Sequence, residues 1–129
     1  MYIEADEDRL GQIMMNLLAN GINYTPEGGQ VKVQMDLLEN ENAGQERVRI
    51  VVSDTGIGIP KKDLPRIFER FYRVDKAHSR SSGGTGLGLS IVKHLVELHH
   101  GKIWAESEGT DMGARFIVEL PVLQEADAE

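Results

Sequence analysis

The amino-acid sequence predicts a single α/β domain in which helices pack on one sheet. Residues 6–24 and 87–100 have the apolar spacing of amphipathic helices, and four other segments have strand-like patterns. The chain of 129 residues is 40% hydrophobic and 27% charged, which is ordinary for one soluble globular domain. We expect the domain to span residues 1–121 and an acidic tail without structure signals to span residues 122–129.

Composition excludes several classes of function. The formal net charge of −7 argues against nucleic acid and anionic lipid as partners, and the absence of cysteine excludes disulfides and thiolate metal sites. No apolar run approaches the roughly 18 to 20 residues of a membrane span, and no signal-peptide pattern follows Met1. We therefore expect a soluble, cytoplasmic segment with no nucleic-acid partner and no direct membrane contact.

The first helix carries an apolar stripe with a row of asparagines beside it. The stripe consists of Leu10, Ile13, Met14, Leu17 and Leu18. At about 100° per residue, Asn16, Asn20 and Asn23 fall within about 60° of one another on one flank of that stripe. Asparagine favours helices weakly, so the row needs an explanation. It is either a solvated polar face or a set of amides that binds a metal–phosphate ligand.

Two antiparallel strands and a carboxylate follow this helix. Residues 30–38 and 47–53 have strand-like patterns and are joined by a polar, hairpin-like connection. Asp54 then stands at the strand end, before Gly56 and Gly58 in a tight turn. A buried carboxylate here can accept a hydrogen bond from an amino group, with Gly56 leaving room for a flat ring. The alternative is an ordinary turn, for which this spacing is common.

Residues 60–73 combine a short helix with aromatic and basic side chains. Pro60 suits the first position of a helix over residues 61–68, although Pro65 can split or end it. An aromatic cluster, which we interpret as core packing, consists of Phe68, Phe71 and Tyr72. Arg73 is different, because a guanidinium near a phosphate loop can bind phosphate oxygens with its fork of donors.

Residues 83–90 (GGTGLGLS) place alternating glycines directly before the second helical pattern. Such glycines let backbone N–H groups approach a ligand, and a helix N-terminus favours an anion, so the stretch suits a phosphate chain. A flexible linker is the alternative, while the P-loop and Rossmann spacings do not fit. Residues 75–84 lack apolar periodicity and are expected to form a mobile lid.

The second helix and two strands complete the domain. The helical pattern from Leu87 ends at Gly101, which we expect to be the C′ residue in the left-handed conformation. Residues 102–107 and 114–120 then predict two strands around a turn-rich segment.

Taken in this order, the segments resemble the catalytic ATP-binding domain of sensor histidine kinases, within the wider family that includes gyrase, Hsp90 and MutL. The resemblance covers residues 6–121 and rests on four motifs. Residues 16–24 (NLLANGINY) resemble the N box, 54–58 (DTGIG) the first glycine box, 68–71 (FERF) the F box and 84–89 (GTGLGL) the second glycine box. Residues 67–75 (IFERFYRVD) are similar to the subgroup of phosphate-responsive and cell-wall-responsive sensor kinases.

The resemblance implies a two-layer α/β sandwich of the Bergerat ATP-binding type, in which a mixed sheet backs helices and ATP lies beneath a lid. It implies that Asp54 accepts from the adenine amino group and that Asn20 coordinates Mg²⁺ with support from Asn16. Arg73 would lie near the γ-phosphate, which makes Asn20 and Arg73 the catalytic residues. The rest of the implied ATP site consists of Asn23, Tyr24, Gly56, Gly58, Gly84, Thr85, Gly86, Leu87, Gly88 and Leu89.

Three departures from the family pattern modify these expectations. Asn23 stands where family members usually carry Lys or Arg, so one phosphate-facing charge is missing. Residues 1–5 leave no room for the strand and helix that precede the N box, so we expect an exposed sheet edge or apolar surface. No histidine has the phosphoacceptor setting, and His94 is the nearest. The dimerisation and phosphoacceptor domain is therefore expected to be absent from this chain.

The predicted function is that of a histidine kinase catalytic domain in two-component signal transduction. The chain would bind Mg·ATP and donate the γ-phosphoryl group to a histidine on a separate dimerisation/phosphoacceptor domain, and so act indirectly on a response regulator. Its parent would be a membrane-bound sensor. The alternative is a nucleotide-binding or docking module without phosphotransfer. A hydrolysing ATPase is disfavoured, because Asn16 stands where such relatives place a glutamate base and an amide cannot take a proton at neutral pH.

Overall fold

The computed structural model of the chain describes residues 7–38, 46–70, 72 and 88–121. Two helices, α1 and α2, span Glu7–Asn23 and Gly88–Leu98. Four strands, β1 to β4, span Val31–Leu38, Arg47–Asp54, Lys102–Glu106 and Ala114–Pro121. The predicted lid, residues 75–84, and the predicted tail, residues 122–129, lie outside the described residues. No helix within the described ranges is long and apolar enough to cross a bilayer.

The four strands form one open sheet in the order β1-β2-β4-β3. The predicted α/β sandwich is confirmed, but the expected mixed sheet is not what these strands form, since all three pairings are antiparallel. The reason is the position of β4. Because β4 lies between β2 and β3, which run in the same direction, each described strand pairs only with strands of opposite direction.

Both helices cover one face of the sheet and enclose the core. The stripe predicted on α1 faces the core as expected: Ile13 and Leu17 are fully buried, while Leu10, Met14 and Leu18 are half-buried and pack against the core. The second helix contributes Val92, Leu95 and Val96. Alternate residues of the two central strands complete the core, namely Val48, Ile50, Val52, Phe116, Val118 and Leu120.

The opposite face of the sheet is covered by its own side chains. Val51 and Ile117 point away from the helices, yet they are only 4% and 2% exposed. Trp104 lies beside Ile117 in the same row of the sheet. The Arg49 guanidinium lies 5.9 Å from the Trp104 ring centroid and 2.6 Å from Glu119 Oε2. These long side chains shield Val51 and Ile117 from water, so this face of the sheet needs no further layer of helices or strands to cover it.

An apolar surface remains uncovered beside α1, as the sequence led us to expect. On the helix, Met15 and Ile22 are 70% and 63% exposed. On β1, the edge strand of the described sheet, Val33, Met35 and Leu37 are also exposed. These three residues pair with the core residues of β2 and therefore lie on the helix-facing side of the sheet. We call the five residues the α1–β1 surface.

The end of α2 differs from the prediction. His100, with φ of 62°, takes the left-handed position, so Gly101 is not the C′ residue. The Gly101 N–H donates to Val96 O and the His100 N–H donates to Glu97 O, as in a Schellman motif. Gly101 is required for close packing instead, because a Cβ there would lie 2.4 Å from Glu119 O.

The helix predicted over residues 61–68 is also shorter than expected. Only Leu64–Arg66 is helical, as one 3₁₀ turn, and the flanking residues form turns. Pro65 lacks an N–H group and therefore limits regular helix formation here.

Candidate functional site

A cleft opens beside the C-terminal end of α1 and the beginning of α2. It is lined by Asn20, Tyr24, Asp54, Ile57, Gly58, Ile59, Ile67, Tyr72, Leu89, Ala114 and Phe116. The lining is mainly apolar, with a few convergent polar groups. This combination is typical of sites that bind a flat organic ligand and fix its orientation with a few hydrogen bonds.

Asp54 provides the negative charge of the cleft. It ends β2 and pairs in register with Ala114, the first residue of β4. The half-buried carboxylate accepts a hydrogen bond from the Gly56 N–H at 2.9 Å. Burial raises the pKa of Asp54, while backbone hydrogen bonds from Gly56 and Ala114 oppose that shift. A carboxylate has about four acceptor positions, so Asp54 retains capacity for a donor on a ligand.

Two glycines of the loop after β2 allow backbone segments to cross closely. A Cβ on Gly56 would lie 2.1 Å from Tyr24 O, and one on Gly58 would lie 2.0 Å from Gly109 O. The Ile57 N–H donates to Tyr24 O at 3.0 Å. The Tyr24 carbonyl, just beyond the end of α1, thus fills the space left by the missing side chain of Gly56, so that space does not leave room for a flat ring as expected. Gly58 lines the cleft and Gly56 does not.

Ser107 connects the same loop to the turn between β3 and β4. Its hydroxyl accepts from the Ile59 N–H at 3.0 Å and lies 2.7 Å from Gly113 O, to which it can donate. The Asp111 N–H also donates to Ile57 O. Sequence reasoning missed Ser107, because a serine in a turn-rich segment is too common to indicate a site.

The asparagine row only partly faces the cleft. Asn20 and Tyr24 line it, whereas Asn16 and Asn23 do not. Asn16 and Asn20 are half-buried and Asn23 is exposed. The row therefore contributes one amide to the cavity itself.

The second glycine box is represented in the cleft by Leu89. Gly88 begins α2 without lining the cavity. The remaining predicted site residues, Arg73, Gly84, Thr85, Gly86 and Leu87, lie outside the described residues. Three motifs that are distant in sequence thus meet at one cavity.

Sequence reasoning missed most of the apolar lining. The missed residues are Ile57, Ile59, Ile67, Tyr72, Ala114 and Phe116. Phe68 packs edge-to-face on Phe116 with ring centroids 6.3 Å apart, in agreement with the predicted core packing. Tyr72 packs against the core but also lines the cleft. Apolar periodicity predicts burial, and it cannot separate a core position from a pocket wall.

Residues 5–124 match the family model described as histidine kinase-, DNA gyrase B- and HSP90-like ATPase, and the chain belongs to this family. The resemblance inferred from the four motifs is thereby confirmed. The chain is similar to the sensor histidine kinase WalK of Bacillus subtilis (strain 168), with 47% identity over 128 residues. That alignment covers 98% of this chain and 20% of the relative. The chain thus spans about a fifth of the length of the curated relatives it matches.

Solved structures agree in fold. The mycobacterial sensor histidine kinase MprB matches with a TM-score of 0.80 and 32% identity, over 93% of this chain and 76% of that one. Full-length ShkA in complex with AMPPNP matches with a TM-score of 0.72 and 36% identity, over 95% of this chain and 23% of that one.

Proposed function

We propose that this chain is the catalytic ATP-binding domain of a sensor histidine kinase. It binds Mg·ATP and donates the γ-phosphoryl group to a histidine on a separate dimerisation/phosphoacceptor domain. The observation that carries the proposal is the single cleft that joins Asn20, Asp54 and Leu89, one from each of three motifs. The AMPPNP bound to ShkA supports an adenine nucleotide as the ligand.

The adenine end of the site is assigned to Asp54 and the apolar walls around it. The ionised carboxylate accepts from the exocyclic amino group, and Ile57, Ala114 and Phe116 exclude water from the ring. Interactions that would be weak in water are stronger in such a partly desolvated setting.

The phosphate end is assigned to Asn20, Asn16 and Arg73, and Asn20 is the proposed Mg²⁺ ligand. No group of three His, Cys, Asp or Glu able to hold a metal occurs in the described ranges. A neutral amide oxygen fits an ion that arrives with the triphosphate, because the phosphates already supply the negative charge that Mg²⁺ prefers. When bound, the ion neutralises charge on the phosphate oxygens. The remaining residues proposed to contact the nucleotide as a whole are Asn23, Tyr24, Gly56, Gly58 and the glycine-box residues Gly84, Thr85, Gly86, Leu87, Gly88 and Leu89.

The acceptor histidine belongs to another domain in this proposal. Phosphoryl transfer relies chiefly on positioning and electrostatics, so this chain supplies the nucleotide and its alignment but not the nucleophile. The domain would span residues 1–121 in the cytoplasmic part of a membrane-bound sensor, with a response regulator downstream.

Two measurements test the proposal. Titration with a fluorescent ATP analogue, with and without Mg²⁺, should show metal-dependent binding. Labelled Mg·ATP and the chain alone should give no product, whereas adding a separately made phosphoacceptor domain from a matching sensor should give acid-labile phosphohistidine on that partner. Absence of nucleotide binding would overturn the proposal. Binding without any labelling of matched acceptors would favour the docking-module alternative.

A further inference from the structure

One wall of the cleft contains Tyr72, which is bonded to a buried carboxylate, that of Asp63. Asp63 is only 7% exposed, and it is one of two buried charged residues among those described. The other, Glu119, pairs with Arg49. In the described part of the chain no Lys or Arg forms a salt bridge with Asp63, and its Oδ1 accepts a hydrogen bond from the Tyr72 hydroxyl.

This bond closes a short segment of chain upon itself. The Asp63 N–H donates to Pro60 O at 2.9 Å, the Arg66 N–H donates to Asp63 O at 2.8 Å, and the Tyr72 N–H donates to Glu69 O at 3.2 Å. These turns leave little regular structure to hold the side chains in place. The bond between Asp63 and Tyr72 therefore links the beginning and the end of the segment.

Tyr72 is held at a second point by Arg66. The guanidinium carbon lies 4.6 Å from the centroid of the tyrosine ring, and Arg66 is itself paired with Glu69 at 3.3 Å. The hydrogen bond to Asp63 raises the pKa of Tyr72, so the hydroxyl remains a donor at neutral pH. Tyr72 is thus fixed at its hydroxyl and by its ring while it lines the cleft with Ile67.

We propose that Asp63 is a positioning residue of the nucleotide site, which holds Tyr72 as a preformed wall of the cleft. This inference rests on the proposed ATP-binding function. A wall that is already fixed does not have to be ordered when the nucleotide binds, so Asp63 increases affinity without touching the ligand. Core packing alone does not explain a carboxylate at position 63. A buried apolar residue there would avoid the cost of desolvating the charged group.

The test uses variants that separate the hydrogen bond from the packing. Tyr72→Phe keeps the ring and removes the donor, Asp63→Ala removes the acceptor, and Asp63→Asn keeps an acceptor oxygen. Asp36→Asn, at an exposed carboxylate on β1, is the matched control. Affinity for Mg·ATP is measured by titration with a fluorescent analogue, and melting is followed without nucleotide.

We expect Tyr72→Phe and Asp63→Ala each to weaken binding by about two- to tenfold. The double variant should lose no more than either single variant, because both act through one bond. Asp63→Asn should retain part of the affinity, and Asp36→Asn should bind as the wild type. Tyr72→Phe should stay folded at the temperature of the titration but melt below the wild type, because it leaves the buried Asp63 carboxylate without its donor.

Two results would overturn the positioning role alone: wild-type affinity in Tyr72→Phe, or additive losses in the double variant. Tyr72→Phe keeps the test decisive even if Asp63→Ala fails to fold. Absence of Mg·ATP binding by the wild-type chain would instead overturn the proposed function together with this inference, so the two failures are distinguishable.

Discussion

At the scale of single residues, the properties of Asp54 follow from its position at the end of β2. Its carboxylate is half-buried and bonded to the Gly56 N–H, which fixes its orientation toward the cleft. An ionised carboxylate is purely an acceptor, whereas an amide also presents donors. Recognition of an amino group therefore depends on both the charge and the orientation of this one side chain.

Asp54→Asn should weaken nucleotide binding because it replaces a charged acceptor by an amide. Hydrogen bonds to charged groups contribute about 1.5–3 kcal/mol, which corresponds to roughly tenfold to over a hundredfold in affinity. Calorimetric titration with Mg·ATP measures the change, and circular dichroism checks the fold. An intact variant with unchanged affinity would remove Asp54 from the site.

The pKa shift of Asp54 predicts a pH-dependent contribution to stability. Burial raises the folded-state pKa above the ordinary value of 3.8, so the native state binds this proton more tightly than the unfolded chain does. Between 3.8 and the raised value, the contribution of Asp54 to the free energy of unfolding therefore falls as pH rises.

Denaturant unfolding of the wild type and of Asp54→Asn measures this contribution. The free energy of unfolding of the variant should rise relative to that of the wild type as pH increases through this window, and the difference should level off above it. A difference that is independent of pH would contradict the raised pKa.

Ser107→Ala should destabilise the fold locally at the cleft. The substitution leaves the partly buried Ile59 N–H and Gly113 C=O without the hydroxyl that bonds both, which costs about 1–3 kcal/mol. Chemical denaturation measures the loss. Ser53→Ala, at another half-buried serine, is the control and should cost less; equal costs would mean that the Ser107 network has no special role.

At the scale of secondary-structure elements, the sequence predicts which side of each element is buried. The spacing of Ile13 and Leu17 places the buried stripe of α1, and alternation predicts the core face of β2. It does not predict which backbones cross. The roles of Gly56 and Gly101 depend on carbonyl groups of residues far away in sequence, so no local pattern contains that information.

At the end of α2, substitutions of the neighbouring residues His100 and Gly101 should change stability in opposite directions. His100→Gly should stabilise the protein by about 0.5–1 kcal/mol, because glycine avoids the left-handed strain but loses more entropy on folding. Gly101→Ala should be clearly destabilising, because its Cβ would meet Glu119 O. Denaturation midpoints of both variants test this, and stabilisation by Gly101→Ala would contradict the assigned packing.

At the scale of the whole molecule, the site exists only when distant parts of the chain are assembled. Antiparallel pairing of β2 with β4 places Asp54 beside Ala114, and the packing of both helices on one face brings Asn20 and Leu89 to the same cavity. Sequence motifs therefore predicted three polar residues that line the cleft, Asn20, Tyr24 and Asp54, but not Tyr72. The apolar walls became visible only with the three-dimensional arrangement, since each wall residue also belongs to an ordinary core pattern.

Because α1, the loop after β2 and the beginnings of β4 and α2 all contribute to the cleft, ligand binding should stabilise the entire fold. A ligand at a hundred times its dissociation constant adds about 2.7 kcal/mol to the free energy of unfolding. The melting temperature should therefore rise with ATP alone and rise further with Mg·ATP, as thermal melting can measure.

Asn20→Ala should remove the additional rise due to Mg²⁺ while the rise with ATP alone remains. The variant lacks one ligand oxygen for the metal, and alanine is the better helix former. If Asn20→Ala instead melts far below the wild type without nucleotide, Asn20 is structural and the Mg²⁺ assignment fails.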